Sequence, residues 1–138
     1  MIKVMCFGTF DLLHLGHLYY FEQAKKYGDY LIVVIARDKT KQLQKKSILF
    51  SEKERLRLIQ SLKIVDEAVL GNPDDHFKII TEKKPDVICL GYDHKITASN
   101  LQKALSVHHL HPIIKRINSY HLKKQKSTKL KEKILIRG

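Results

Sequence analysis

A chain of 138 residues, 43% hydrophobic and 29% charged, is long enough to bury one core, too short for two ordinary domains, and too apolar to be disordered. It has no apolar run near the ~18 residues of a membrane span and no signal-peptide pattern at its start, and its two cysteines, Cys6 and Cys89, make no disulfide framework. The formal charge of +12 is concentrated at one end, where nine lysines or arginines from Lys115 onward face the single acid Glu132. One cytoplasmic domain over residues 1–138, with no membrane partner, is the expectation.

Residues 2–7 form a short apolar run that predicts a strand, followed by a glycine turn and a helical stretch over 16–27. The β-branched run over 31–36 predicts a second strand, covered on both faces. Residues 37–50 are polar and lysine-rich without an apolar period, and read as a loop. Ser51 and Glu54 have the spacing of a capping box that opens a helix reaching to about residue 62. A strand over 67–70 precedes a turn at 71–74 and a helix ending near residue 84, where Pro85 stops it. Residues 87–90 read as a buried strand, 99–107 as a helix and 112–115 as a fifth strand. After a loop over 116–126, Ser127 can cap a last helix to about residue 134.

Strands separated by helices require right-handed crossovers. The predicted fold class is therefore α/β, a doubly wound five-stranded parallel sheet of Rossmann-like type in a single domain. Ligands of such sheets bind at the carboxyl ends of the strands, where the winding reverses, so the segments after Phe7, Ala36, Leu90 and Lys115 are the places to search. Cys6 and Cys89 fall in strands expected to be neighbours and read as buried core thiols. His108, His109 and His111 lie at a helix–strand junction without acidic or cysteine partners, and read as surface. The lysines between Lys123 and Lys133 leave three uses open: a solvated face, a polyphosphate site, or nucleic-acid binding. Interleaved aromatics, which single-strand binding would call for, are missing there, since Tyr120 stands alone.

The segment that carries chemistry follows the first strand. Gly8-Thr9-Phe10-Asp11 leads into His14-Leu15-Gly16-His17 at the start of a helix. Two histidines three apart share a helix face, beside free backbone N–H groups and partial positive charge that already favour a phosphate. Gly16, with no side chain, lets a nucleotide approach the backbone, and Gly8 permits the turn out of the sheet. The rival readings of the histidines are a zinc site and plain packing. Zinc lacks further ligands at a recognisable spacing, and packing leaves the intervening glycine unexplained.

These residues resemble the HxGH signature of the cytidylyltransferase-like nucleotidyltransferases. The likeness runs from Lys3 to about Ile134, through Gly28-Asp29-Tyr30, Ala36-Arg37-Asp38, Lys45-Lys46, Glu54-Arg55, Val65-Asp66-Glu67 and Pro85-Asp86-Val87. Within that family the stretch Leu90-Gly91-Tyr92-Asp93 and the placing of Tyr120 resemble the archaeal-type FAD synthetases. Arg116 is not followed by the RTxGxSTT pattern of the glycerol-3-phosphate cytidylyltransferases, which are the alternative; a basic nucleic-acid-binding module is a second alternative.

The resemblance implies transfer of AMP from ATP to the phosphate of FMN, with pyrophosphate released. An acceptor phosphate is mostly dianionic at neutral pH, so no general base is expected and catalysis is positioning plus charge stabilisation. His14, His17 and, from the family alignment, Lys46 are the expected catalytic residues. Thr9, Phe10, Leu15, Gly16, Asp93, Tyr120, Ser127 and Thr128 are the expected nucleotide-binding residues. Asp11 is expected to fix the turn or orient a histidine. Magnesium is expected through the triphosphate, with no direct protein ligand assigned. Members of the family often pair, so a homodimer is a further expectation.

Overall fold

The computed structural model describes residues 1–44 and 47–120. Five parallel strands, β1 (Lys3–Gly8), β2 (Tyr30–Ile35), β3 (Glu67–Leu70), β4 (Val87–Leu90) and β5 (Ile113–Arg116), lie in the order β3-β2-β1-β4-β5. The helices between them are α1 (Leu15–Lys25), α2 (Asp38–Leu43), α3 (Glu52–Gln60), α4 (Lys78–Lys83) and α5 (Ala98–Val107). The winding reverses between β1 and β4, which are adjacent although far apart in the chain.

Alternation along the strands sorts the core into two layers. Val4, Cys6, Leu31, Val33, Ile35, Val87 and Cys89 face Tyr20, Phe21 and Ala24 of α1 and Ile59 of α3. Met5, Ile32, Val34, Ile88 and Leu90 face Ile79 and Ile80 of α4 and Leu101 and Leu105 of α5. The sheet is thus doubly wound as expected, and Cys6 and Cys89 are register partners in adjacent strands, both buried. No helix among the described residues is long and apolar enough to cross a membrane.

Two elements differ from expectation. Residues 38–43, read as loop, are the helix α2, which buries none of its side chains. It is held by polar bonds instead: the Asp38 N–H donates to Glu52 at 2.9 Å, Asp38 accepts the Glu52 N–H at 3.1 Å, and Arg37 pairs with Glu52 at 3.0 Å. A helix with no apolar face leaves no period to read. The fourth helix starts later than the turn at 71–74 suggested, because Asn72 folds the chain first by accepting the N–H groups of Asp74 and Asp75 at 2.8 and 2.9 Å. The expected last helix over 127–134 lies outside the described residues.

The amino edge of the sheet is closed by three aspartates that precede strands. Asp29, Asp66 and Asp86 accept the backbone N–H groups of Ile2, Leu31 and Lys3 at 2.9, 2.7 and 2.9 Å. Each returns its own N–H to the carbonyl of the same residue, at 2.9, 3.1 and 2.9 Å. These clasps give a physical reason for the three aspartates in the segments that carry the family likeness.

Candidate active site

The pairing of β1 with β4 ends at Cys6 and Cys89. There the hydroxyl of Tyr20, three residues beyond His17 on α1, accepts the Phe7 N–H at 3.4 Å and donates to the Cys89 carbonyl. Tyr20 therefore spans the strands where they part, and the crevice above it is the switch point of the fold.

Just beyond β1 the chain turns sharply. Phe10 takes a left-handed conformation, φ 55°, and is buried. Its ring folds back so closely that a Cβ on Gly8 would meet it at 2.5 Å. The expected role of Gly8 is therefore corrected: no described glycine has positive φ, and Gly8 is needed for the room it leaves the ring. The Phe10 ring packs on Phe21 and stands edge-on to His17, each at a centroid distance of 5.2 Å. Its side chain is the floor under the second histidine.

His14 is the N-cap of α1, extended at φ −145° and ψ 177°. Its Nδ1 accepts the Gly16 N–H at 3.0 Å, and the Nδ1 of His17 accepts the His14 N–H at 3.3 Å. Together they form a capping box built from two imidazoles. A ring whose Nδ1 accepts a hydrogen bond must, when neutral, carry its proton on Nε2. The rings are kept neutral by their surroundings. Burial lowers the His14 pKa against the pull of Asp93, and lowers that of His17 to about 3, with His14 adding to the effect.

The two rings stack with centroids 3.9 Å apart and planes inclined by 25°. With Nδ1 of each ring accepting, the neutral form of each stacked imidazole carries its proton on Nε2. The Nε2 of His14 is buried and has no hydrogen-bond partner among the described residues. An unmet buried donor costs about 1–3 kcal/mol, a cost that an anionic oxygen placed there would relieve.

The remaining expected residues divide. Leu15 is the exposed first residue of α1 and Gly16 the second. The Thr9 carbonyl accepts from Arg55 at 2.9 Å. Asp93 is exposed on the turn after β4, within electrostatic reach of His14. Tyr120 packs on Tyr19 of α1 at 5.2 Å between centroids. Lys45, Lys46, Ser127 and Thr128 lie outside the described residues. Asp11 does more than fix its own turn: buried, it accepts the N–H groups of Leu49 and Phe50 at 2.8 Å each. It thereby ties the segment that follows the Lys45-Lys46 pair to the histidine turn.

Sequence reasoning missed the two arginines that brace this edge. Arg55 is fully buried and donates to the carbonyls of Phe50, Thr9 and Ala36 at 3.1, 2.9 and 2.8 Å and to Asp38 at 2.6 Å. It joins the ends of β1 and β2 to α2 and α3. Its signal was available, because Arg55 occupies the apolar stripe of α3 four residues before Ile59. Arg116 donates to the carbonyls of Gly91, His94 and Ile96 at 2.7, 2.8 and 2.6 Å. His94 completes that loop by accepting the Gly91 N–H on Nδ1 at 3.0 Å, and burial lowers its pKa against the pull of Asp93. Among the described residues no group of three or more His, Cys, Asp and Glu side chains is disposed to hold a metal.

A family model described as cytidylyltransferase-like matches residues 5–133. An FAD synthase of Thermoplasma volcanium is 44% identical over 98% of this chain and 95% of its own length. One of Picrophilus torridus is 40% identical over 97% and 96%. A crystal structure described as the lipopolysaccharide core biosynthesis protein from Thermoplasma volcanium superposes with a TM-score of 0.85 at 47% identity, over 87% of this chain and 98% of that one. A pantoate–β-alanine ligase from Francisella tularensis shares the fold alone, with a TM-score of 0.66 at 15% identity over 95% of this chain and 65% of that one.

Proposed function

This chain belongs to the cytidylyltransferase-like family, and we propose that it works as an FAD synthase, as its curated relatives are named, joining the AMP of ATP to the phosphate of FMN. An oxygen of the FMN phosphate attacks the α-phosphorus of ATP. The bond from that phosphorus to the bridging oxygen breaks, and pyrophosphate leaves.

The observation that carries this chemistry is the stacked pair of neutral imidazoles, each with its proton on Nε2. Neutral donors aimed at the triphosphate stabilise the charge that shifts onto the leaving oxygens, and they need no reorganisation as the reaction proceeds. The acceptor phosphate carries its own negative charge, so the site has no proton to remove from it. Magnesium enters with the triphosphate as part of the substrate, keeping most of its waters. Lys46, Ser127 and Thr128 are proposed to meet the same phosphates, and Asp93 the ribose or a metal-bound water. Tyr120, whose ring packs on Tyr19 of α1, is assigned to the nucleotide on the family likeness.

Incubation with ATP, FMN and magnesium is expected to yield FAD and pyrophosphate in equal amounts. Turnover of CTP with glycerol 3-phosphate, and none with FMN, would overturn the assignment of substrates while keeping the nucleotidyl transfer.

A further inference from the structure

The loop over 91–97 leaves β4 at the crevice and carries two large apolar side chains at the surface, Tyr92 at 41% exposure and Ile96 at 39%. Single exposed apolar residues need no explanation. What distinguishes this pair is the backbone beneath it. Arg116 takes the carbonyls of Gly91, His94 and Ile96, and His94 takes the Gly91 N–H. Four backbone groups are thus fixed within six residues.

This bracing has two consequences. The side chains are presented by a loop that has already lost its freedom, so a ligand does not bear the cost of ordering it. These bonds also occupy backbone groups of Gly91, His94 and Ile96 that could otherwise read the hydrogen-bonding edge of a base. The loop thus presents a phenol and, four residues on, an aliphatic side chain at the surface, apolar groups that suit a broad planar ring of low polarity. The loop lies beside the crevice, because the His94 ring meets the ring of Tyr20 edge-on at 6.3 Å between centroids and Tyr20 spans the gap between β1 and β4. Among the described residues the one other exposed phenylalanine or tyrosine ring is Tyr27, beyond the far end of α1, with the Lys115 ammonium 5.9 Å from its centroid.

We propose that Tyr92, on the same braced loop as Ile96, is the platform on which the planar ring system of the acceptor stacks. The inference rests on the FAD synthase reading above, so the ring is the isoalloxazine of FMN.

The test is steady-state kinetics of Tyr92→Ala and Tyr92→Phe, with FMN and ATP varied separately. Tyr92→Ala is expected to raise KM for FMN about tenfold, with a smaller change in kcat and no rise in KM for ATP. Tyr92→Phe, which keeps the ring, should bring the FMN KM back. The wild-type protein should quench FMN fluorescence on binding, and Tyr92→Ala should lose most of that quenching. An unchanged FMN KM in Tyr92→Ala, or an equal rise in KM for ATP, would overturn the platform while leaving the enzyme an FAD synthase. Failure of the wild-type protein itself to form FAD would overturn the function, and the platform with it.

Discussion

At the amino edge of the sheet, Asp29, Asp66 and Asp86 each close a two-way clasp with the backbone of a neighbouring strand. At the carboxyl edge, His14 and His17 close a clasp too, through the Nδ1 of each ring. Among the described residues the Nε2 of His14 is buried and has no hydrogen-bond partner. Both edges use short-range polar bonds to backbone N–H groups. The difference is that each aspartate joins two strands through one carboxylate oxygen, whereas the histidines spend Nδ1 on a single helix start and the His14 Nε2 takes no part in it. A side chain with two separate polar atoms is suited to this division, and imidazole is compact enough to do it at a helix N-cap.

The comparison is broken most severely at Arg55, which belongs to the carboxyl edge yet is fully closed. Arg55→Met removes the donor for three carbonyls and the partner of Asp38. It should cost about 3 kcal/mol or more in denaturant unfolding, and activity should fall with it because the turns after β1 and β2 come loose. A variant as stable as wild type would remove the latch from the account of the site.

His17→Ala should separate activity from stability. We expect kcat to fall by ~10²-fold or more, the scale for loss of one preorganised donor, with the protein still folded by circular dichroism. An unchanged kcat would end the role proposed for the pair.

Asp66→Ala is the mirror experiment at the other edge. Burial would raise the Asp66 carboxyl, but Lys25 and the Leu31 N–H outweigh it and hold it below its ordinary 3.8. Its folded-state pKa is depressed, so its contribution is complete above 3.8 and is lost as pH falls through the lower folded value. Removing it should cost about 1–2 kcal/mol at neutral pH, discounted because the side chain is 32% exposed, and leave KM values alone. A kinetic defect as large as that of His17→Ala would erase the contrast between the edges.

The smallest effect is the absence of one. The His17 pKa is depressed from 6.5 to about 3, so the stability gained by burying it neutral is complete above 6.5 and drains as pH falls toward 3. Ring nitrogen chemical shifts should therefore report the Nε2–H form of His17 without titration between pH 6 and 8. A midpoint near 6.5, or a proton on Nδ1, would contradict the clasp.

Much of the fold was legible because its signals are local. The β-branched run through Val33 and Val34 marks a central strand, and Ser51 with Glu54 marks the start of α3. The histidine pair was legible for the same reason, since His14 and His17 meet within one turn. The bracing of the site was not legible. Asp11 reaches the N–H groups of residues 38 and 39 positions away, Arg55 reaches a carbonyl 46 away, and Arg116 reaches carbonyls 20 to 25 away. Bonds to backbone groups that distant leave no period and no fixed spacing in the chain. The helix α2 escaped notice because its attachments are polar and its side chains are not buried.

Tyr20 and the two histidines ride on one rigid helix, the phenol spanning the gap between β1 and β4 and the imidazoles forming the roof above it. The position of that one helix therefore sets both the bridge across the β1–β4 gap and the histidine pair at its start.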